Sequence, residues 1–159
     1  MNQYYIVNFI MNHNNHFCLW YTDELDGFEV EDNRLIWFKQ ENNMKKFCYE
    51  KNISFSDEVI SFDIEQLSAM IKYKPEEFDC KLILDMWNIF SDVSKSVNQH
   101  FIGDDDMAYN IYSKIFYGNN LPAINTSGKK YIPLWNKEEL ETIYEILYQG
   151  ISILESALA

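Results

Sequence analysis

Apolar and polar positions divide the chain into a β-patterned first part and a helix-patterned remainder. Residues 4–10 and 17–22 are β-branched and aromatic runs separated by the polar Asn12-His13-Asn14-Asn15-His16, the pattern of a hairpin. Residues 23–27 are the next turn, and 28–31 and 35–38 make two further short strands about the turn-prone Asp32-Asn33. Met44, Phe47 and Cys48, at i, i+3 and i+4, predict a short helix over 42–52, and 53–55 reads as one more strand returning to the sheet.

From Asp63, a natural N-cap, Ile64, Leu67, Ala69, Met70 and Ile71 predict a helix that stops before Lys74-Pro75. Residues 79–98 predict the organising element. Cys80, Leu82, Ile83, Leu84, Met86, Trp87, Ile89, Phe90, Val93 and Val97 spread over roughly 220° of a helical wheel, too wide for a surface helix. Lys81, Asp85, Asn88, Asp92, Lys95 and Ser96 share the one strip left to water. A helix opening at Asp105 or Asp106 runs to about Tyr117, with Gly118 at C′ and the aspartates at its N-terminal end. Residues 119–135 hold two prolines and many apolar side chains, an irregular segment that packs down as a cover. Asn136 caps a last helix whose Leu140, Ile143, Tyr144, Leu147, Ile151, Leu154 and Leu158 form one stripe, to lie along the central helix if Gly150 does not break it.

The expected class is therefore α+β. An N-terminal antiparallel β-meander of four to five short strands packs with a C-terminal helical subdomain around a central buried helix. Residues 1–159 read as a single domain with a β-rich half at 1–62 and a helical half at 63–159, long enough to bury ~70% of the unfolded surface.

Charge changes the functional picture. Lys and Arg number 13 against 25 Asp and Glu, a formal net charge of −12, so direct nucleic-acid binding is disfavoured and a basic partner is the natural counterpart. Cys18, Cys48 and Cys80 are odd in number and widely spaced, which supports neither a disulfide framework nor a cysteine zinc site. The first residues carry no basic stretch and too short an apolar run for a leader or a membrane span, so the expected compartment is the cytoplasm.

Candidate chemistry is sparse. His13 and His16 have HxxH spacing without a neighbouring carboxylate or cysteine, and His100 stands near three aspartates that lack an EF-hand's spacing. Ser127-Gly128-Lys129-Lys130 matches only the end of a phosphate-binding loop, and GxSxG, HExxH and GxGxxG are missing. No metal or cofactor site follows. A small metal-dependent hydrolase using His and Asp residues is the alternative reading. What remains is clustered acid: Asp23, Glu24, Asp26, Glu29, Glu31 and Asp32 within ten residues, then Asp104, Asp105 and Asp106. These nine are the candidate partner-binding residues, since clustered carboxylates steer a basic surface.

The strings LDMWNIFSDVSKSV, IYSKIFYGNNLPAIN and YIPLW, followed by an EEL-type helix, resemble the immunity proteins of bacterial contact-dependent growth inhibition, the CdiI class. The resemblance covers roughly residues 79–159 and extends to the β-rich half only in outline. It implies a non-enzymatic protein that binds the C-terminal toxin domain of its cognate CdiA and neutralises it in the producing cell. The toxin it implies is a tRNA-cleaving nuclease, some members of which work with elongation factor Tu, so that this factor is reached through the toxin. A phosphate-holding nuclease surface is basic, which agrees with the acidity of the chain. The resemblance carries over no binding residue by position.

Overall fold

The computed structural model describes residues 2–73 and 79–159. β1 (Gln3–Met11) and β2 (Asn14–Thr22) form an antiparallel hairpin pairing Gln3 with Thr22 and Met11 with Asn14. Asn12 and His13 hold positive φ of 52° and 64° at its turn, the left-handed geometry that fits the twist of a two-residue hairpin loop. β3 (Gly27–Phe28) pairs with the end of β2, β4 (Val30–Glu31) and β5 (Arg34–Leu35) make a separate small hairpin, and β6 (Trp37–Phe38) returns to β2. After α1 (Glu41–Glu50), β7 (Phe55–Asp63) pairs in parallel with β1, giving the order β3-β2-β1-β7.

The helices α2 (Ile64–Tyr73), α3 (Cys80–Ser96), α4 (Tyr109–Tyr117) and α5 (Lys137–Ala157) follow, with 3-10 turns at Ile102–Asp104 and Asp106–Ala108. The class is α+β, as the periodicity predicts. Strand detail differs from the expectation. The hairpin strands are nine residues each, so the sheet is not a set of short strands only, and the strand expected over 53–55 instead begins at Phe55 and runs nine residues. Its exposed Asp57 and Glu58 sit where the register slips, and they break the alternation that would have marked it. The parallel pairing makes the sheet mixed. The expected helix stop at Lys74-Pro75 lies outside the described residues.

Two apolar clusters lie on opposite faces of the sheet. Ile6, Phe17 and Leu19 meet Met44 and Cys48 of α1, whereas Val7, Phe9, Cys18 and Phe28 face the α2–α5 layer. α3 fills the middle of that layer: Ile83, Met86, Trp87, Ile89, Phe90 and Val93 are buried, each such side chain contributing about 1.5–3 kcal/mol by leaving water. Trp87 donates its Nε1–H to the Gly103 carbonyl at 3.1 Å, so its one polar atom is satisfied inside the core. α5 runs unbroken through Gly150, and a Cβ there would stand 2.2 Å from the Phe90 ring. The missing side chain lets α3 and α5 approach closely.

Caps mark the helix starts. Asp63 Oδ1 accepts from the Glu65 and Gln66 amides, Asp79 Oδ1 accepts from the Leu82 amide, and Asn136 with Glu139 forms a capping box. The expected aspartate cap of α4 is not formed: Ala108 occupies its N-cap, and Asp106 opens the preceding 3-10 turn. Gly118 is not left-handed but right-handed at φ −64°, where a Cβ would meet the Cys80 sulfur and Pro133. Among the described residues no helix is long and apolar enough to cross a membrane.

Candidate acidic cleft between the central helix and the sheet

The water-facing strip of α3 looks onto the end of the sheet. Asp85, Asn88 and Asp92 recur at i, i+3 and i+7, one helix face, and with Val7, Trp20, Ile60 and Phe62 they line a cleft of about 620 Å³ that Asp26 and Lys95 also border. Asp92 is its focus. Trp20, from β2, donates its Nε1–H to Asp92 Oδ2 at 3.0 Å, fixing the carboxylate against an aromatic wall.

Burial pushes the Asp92 carboxyl up to about 6 from the ordinary 3.8. The Trp20 hydrogen bond and Lys95 oppose the shift, while the nearby Asp26 and Asp104 add to it. Asp104 is held by Ser91, whose hydroxyl donates to Oδ1 at 2.7 Å. Asp85 is already paired with Lys81 one turn earlier, at 2.7 Å. Asp85 and Asp92 are half-buried in the cleft while Asp26 is exposed at its border beside Lys95, and the natural complement of the desolvated Asp92 is a cation with an apolar stem.

The structure brings together only some of the acids marked by sequence. Asp26 lines the cleft and Asp104 lies outside its lining, held by the lining residue Ser91; both are exposed and within electrostatic reach of Asp92. Glu29 turns elsewhere and accepts weakly from the Tyr4 hydroxyl at 3.5 Å. Asp23 and Glu24 are exposed on the connection after β2, while Glu31 and Asp32 belong to the β4–β5 hairpin, with Asp32 at positive φ. Asp105 pairs with His100 at 3.0 Å, and Asp106 is exposed. Asp92, Asp85 and Trp20 were missed as site residues. Their signal was present, because Asp85, Asn88 and Asp92 fell on one strip, but a solvated helix face gives the same pattern.

The histidines part company. His13 is exposed and pairs with Glu65, whereas His16 packs its ring on Trp37 and bonds the Phe9 carbonyl through Nδ1. Among the described residues no group of three His, Cys, Asp or Glu side chains is placed to share a metal ion. Cys18 and Cys48 are buried and Cys80 half-buried, all three free, and burial pushes each thiol up, away from the reactive thiolate.

Residues 119–135 fold over one end of the helical layer. The Asn120 side chain bonds both backbone groups of Tyr131, and Lys114 of α4 holds the Leu134 carbonyl at 2.8 Å. The expected packed cover is not formed: none of residues 119–135 is buried, and Leu121, Ile124, Tyr131, Ile132 and Leu134 are exposed, the last by 83%. The segment's concavity against Phe116, Tyr117 and Leu121 has Lys129 as its charged wall and no carboxylate.

No protein-family model matches the chain, and no curated protein does. Among solved structures it is similar to the C-terminal domain of SatS, determined in complex with bromine, with a TM-score of 0.52 over 98% of this chain and 92% of that one. The two share 10% of their residues, so the likeness concerns the fold alone.

Proposed function

We propose that the chain is a non-enzymatic immunity protein that acts in the cytoplasm by covering the basic surface of a cognate toxin domain. The observation that supports it is the gathering of Asp26, Asp92 and Asp104 about one cleft whose burial raises the Asp92 carboxyl. Burial of the Asp92 carboxylate, with the exposed Asp26 and Asp104 adding a smaller repulsion, costs free energy in the free protein, and a cationic partner removes that cost on binding. The class of partner comes from the resemblance of residues 79–159 to CdiI proteins: the C-terminal domain of a CdiA effector, a tRNA-cleaving nuclease, with elongation factor Tu engaged only through it.

Co-expression with a toxin domain sought in the gene next to this one tests the reading. A stable complex and restored growth are expected, and the absence of both would refute it. The acids should then show in kinetics. Neutralising Asp23, Glu24, Asp26 and Glu29 together, and Asp104, Asp105 and Asp106 in parallel, should slow association by about tenfold at low salt and flatten its salt dependence. Because Asp26 and Asp104 border Asp92, each set contains one member expected to carry most of its effect.

A further inference from the structure

We infer that the outer edge of β7, from Val59 to Asp63, is a strand-addition site for an extended segment of the partner whose cleft-facing side chains include Lys or Arg. The inference rests on the reading of a basic protein partner and names where its backbone lies. β7 ends the sheet: β1 pairs one side of it, and among the described residues no hydrogen bond from another element reaches its other side. A row of unpaired amides and carbonyls templates another strand unless the edge is guarded. The first half of β7 is guarded, since the register slip between Tyr4 and Ile6 distorts the pairing and Asp57 and Glu58 are exposed beside it. The second half is open. Val59 to Asp63 pair regularly with Ile6 to Ile10, and Val59, Ile60, Ser61 and Phe62 carry no charge, no proline and no bulge.

The cleft identifies the occupant. Successive side chains of a strand face opposite sides of the sheet. Ile60 and Phe62 face the helical layer and line the acidic cleft, whereas Val59 belongs to the cluster under α1. A strand added about 4.8 Å beyond β7 places every second side chain beside Ile60 and Phe62, at the mouth of that cleft. Asp92 on the far wall accommodates one cationic head, because Asp85, about 10 Å away along α3, is already paired with Lys81 and Lys95 shares the wall. The aliphatic stem of a Lys or Arg suits the apolar near wall, and its charge suits the Asp92 carboxylate beyond. A second copy of this chain is the wrong occupant, because its β7 carries no Lys or Arg to offer the cleft and each copy has a net charge of −12.

The probe is an N-acetylated, C-amidated heptapeptide alternating Arg with Val between terminal Thr residues, with a control in which Glu replaces every Arg. Amide exchange followed by NMR on the full chain should slow by at least about tenfold within 59–63 when the Arg peptide saturates, and not with the Glu peptide. Ile60→Pro and Ser61→Pro are made separately, because neighbouring residues point their N–H groups to opposite edges. One should keep the β1–β7 exchange pattern and lose the peptide, and the other should loosen that pattern. Arg-peptide protection outside β7, equal binding of both peptides, or concentration-dependent dimerisation through this edge would each overturn the inference. The same measurement with the toxin domain separates the two claims. Toxin bound without protection at 59–63 overturns the strand site and leaves the immunity reading intact, whereas a protected edge with peptide and no toxin complex does the reverse.

Discussion

Replacing Asp92 by asparagine should stabilise the protein, and the gain should vary with pH in a way that follows from the cleft. Burial raises the carboxyl to about 6 from 3.8, so between those values the folded state binds more protons than the unfolded chain. Stability therefore falls as pH rises through this window: the cost is absent below 3.8 and fully present above about 6. Roughly two pH units at 1.36 kcal/mol each set an upper bound of ~3 kcal/mol. Water still reaches part of the carboxylate, and screening reduces the expected cost to ~1–2 kcal/mol. The asparagine amide would keep an oxygen to accept the Trp20 Nε1–H while losing the charge. Urea denaturation at about pH 7.5 should then show Asp92→Asn more stable by ~1–2 kcal/mol, with the gap closing to roughly a third of that near pH 4.5. A variant less stable at neutral pH, or a gap that ignores pH, would refute the placement of Asp92. The same substitution should weaken the basic partner's binding, since a charge kept at a cost to folding is useful only where a cation meets it.

Two further changes test the frame that holds the cleft. Gly150→Ala would gain about 1 kcal/mol of helix propensity in isolation, but its Cβ would lie 2.2 Å from the Phe90 ring. Overpacking of ~1–3 kcal/mol should win, giving a lower Tm that Phe90→Leu in the same chain partly restores. A more stable Gly150→Ala variant would mean α3 and α5 are not in close contact there. Lys114→Met removes the bonds to the Leu134 carbonyl and the Glu139 carboxylate, 2.8 and 2.9 Å, and the cation over Trp135. A loss of ~1–3 kcal/mol and faster amide exchange across 131–136 are expected, and unchanged exchange would show that the segment is held by other contacts.

Periodicity made the helices legible because each buries a broad face: the apolar positions of α3 and α5, and the caps at Asp63 and Asn136, are local signals that packing reinforces. β7 hid because an edge strand is paired on one side only and tolerates charge, so Asp57 and Glu58 look like a loop although they belong to a strand of nine residues. The cleft hid for a related reason. Asp26 and Asp92 are 66 positions apart by number, and only the crossing of α3 over the end of β2, fastened by Trp20, sets them in one place. Counting acids along the chain favours the run from Asp23 to Asp32, yet the fold scatters that run over a connection and a small hairpin and sends Asp26 to the cleft. Under the proposed function the carboxylates that matter are those the fold desolvates, Asp85 and Asp92 on the face of α3, rather than the densest acidic stretch.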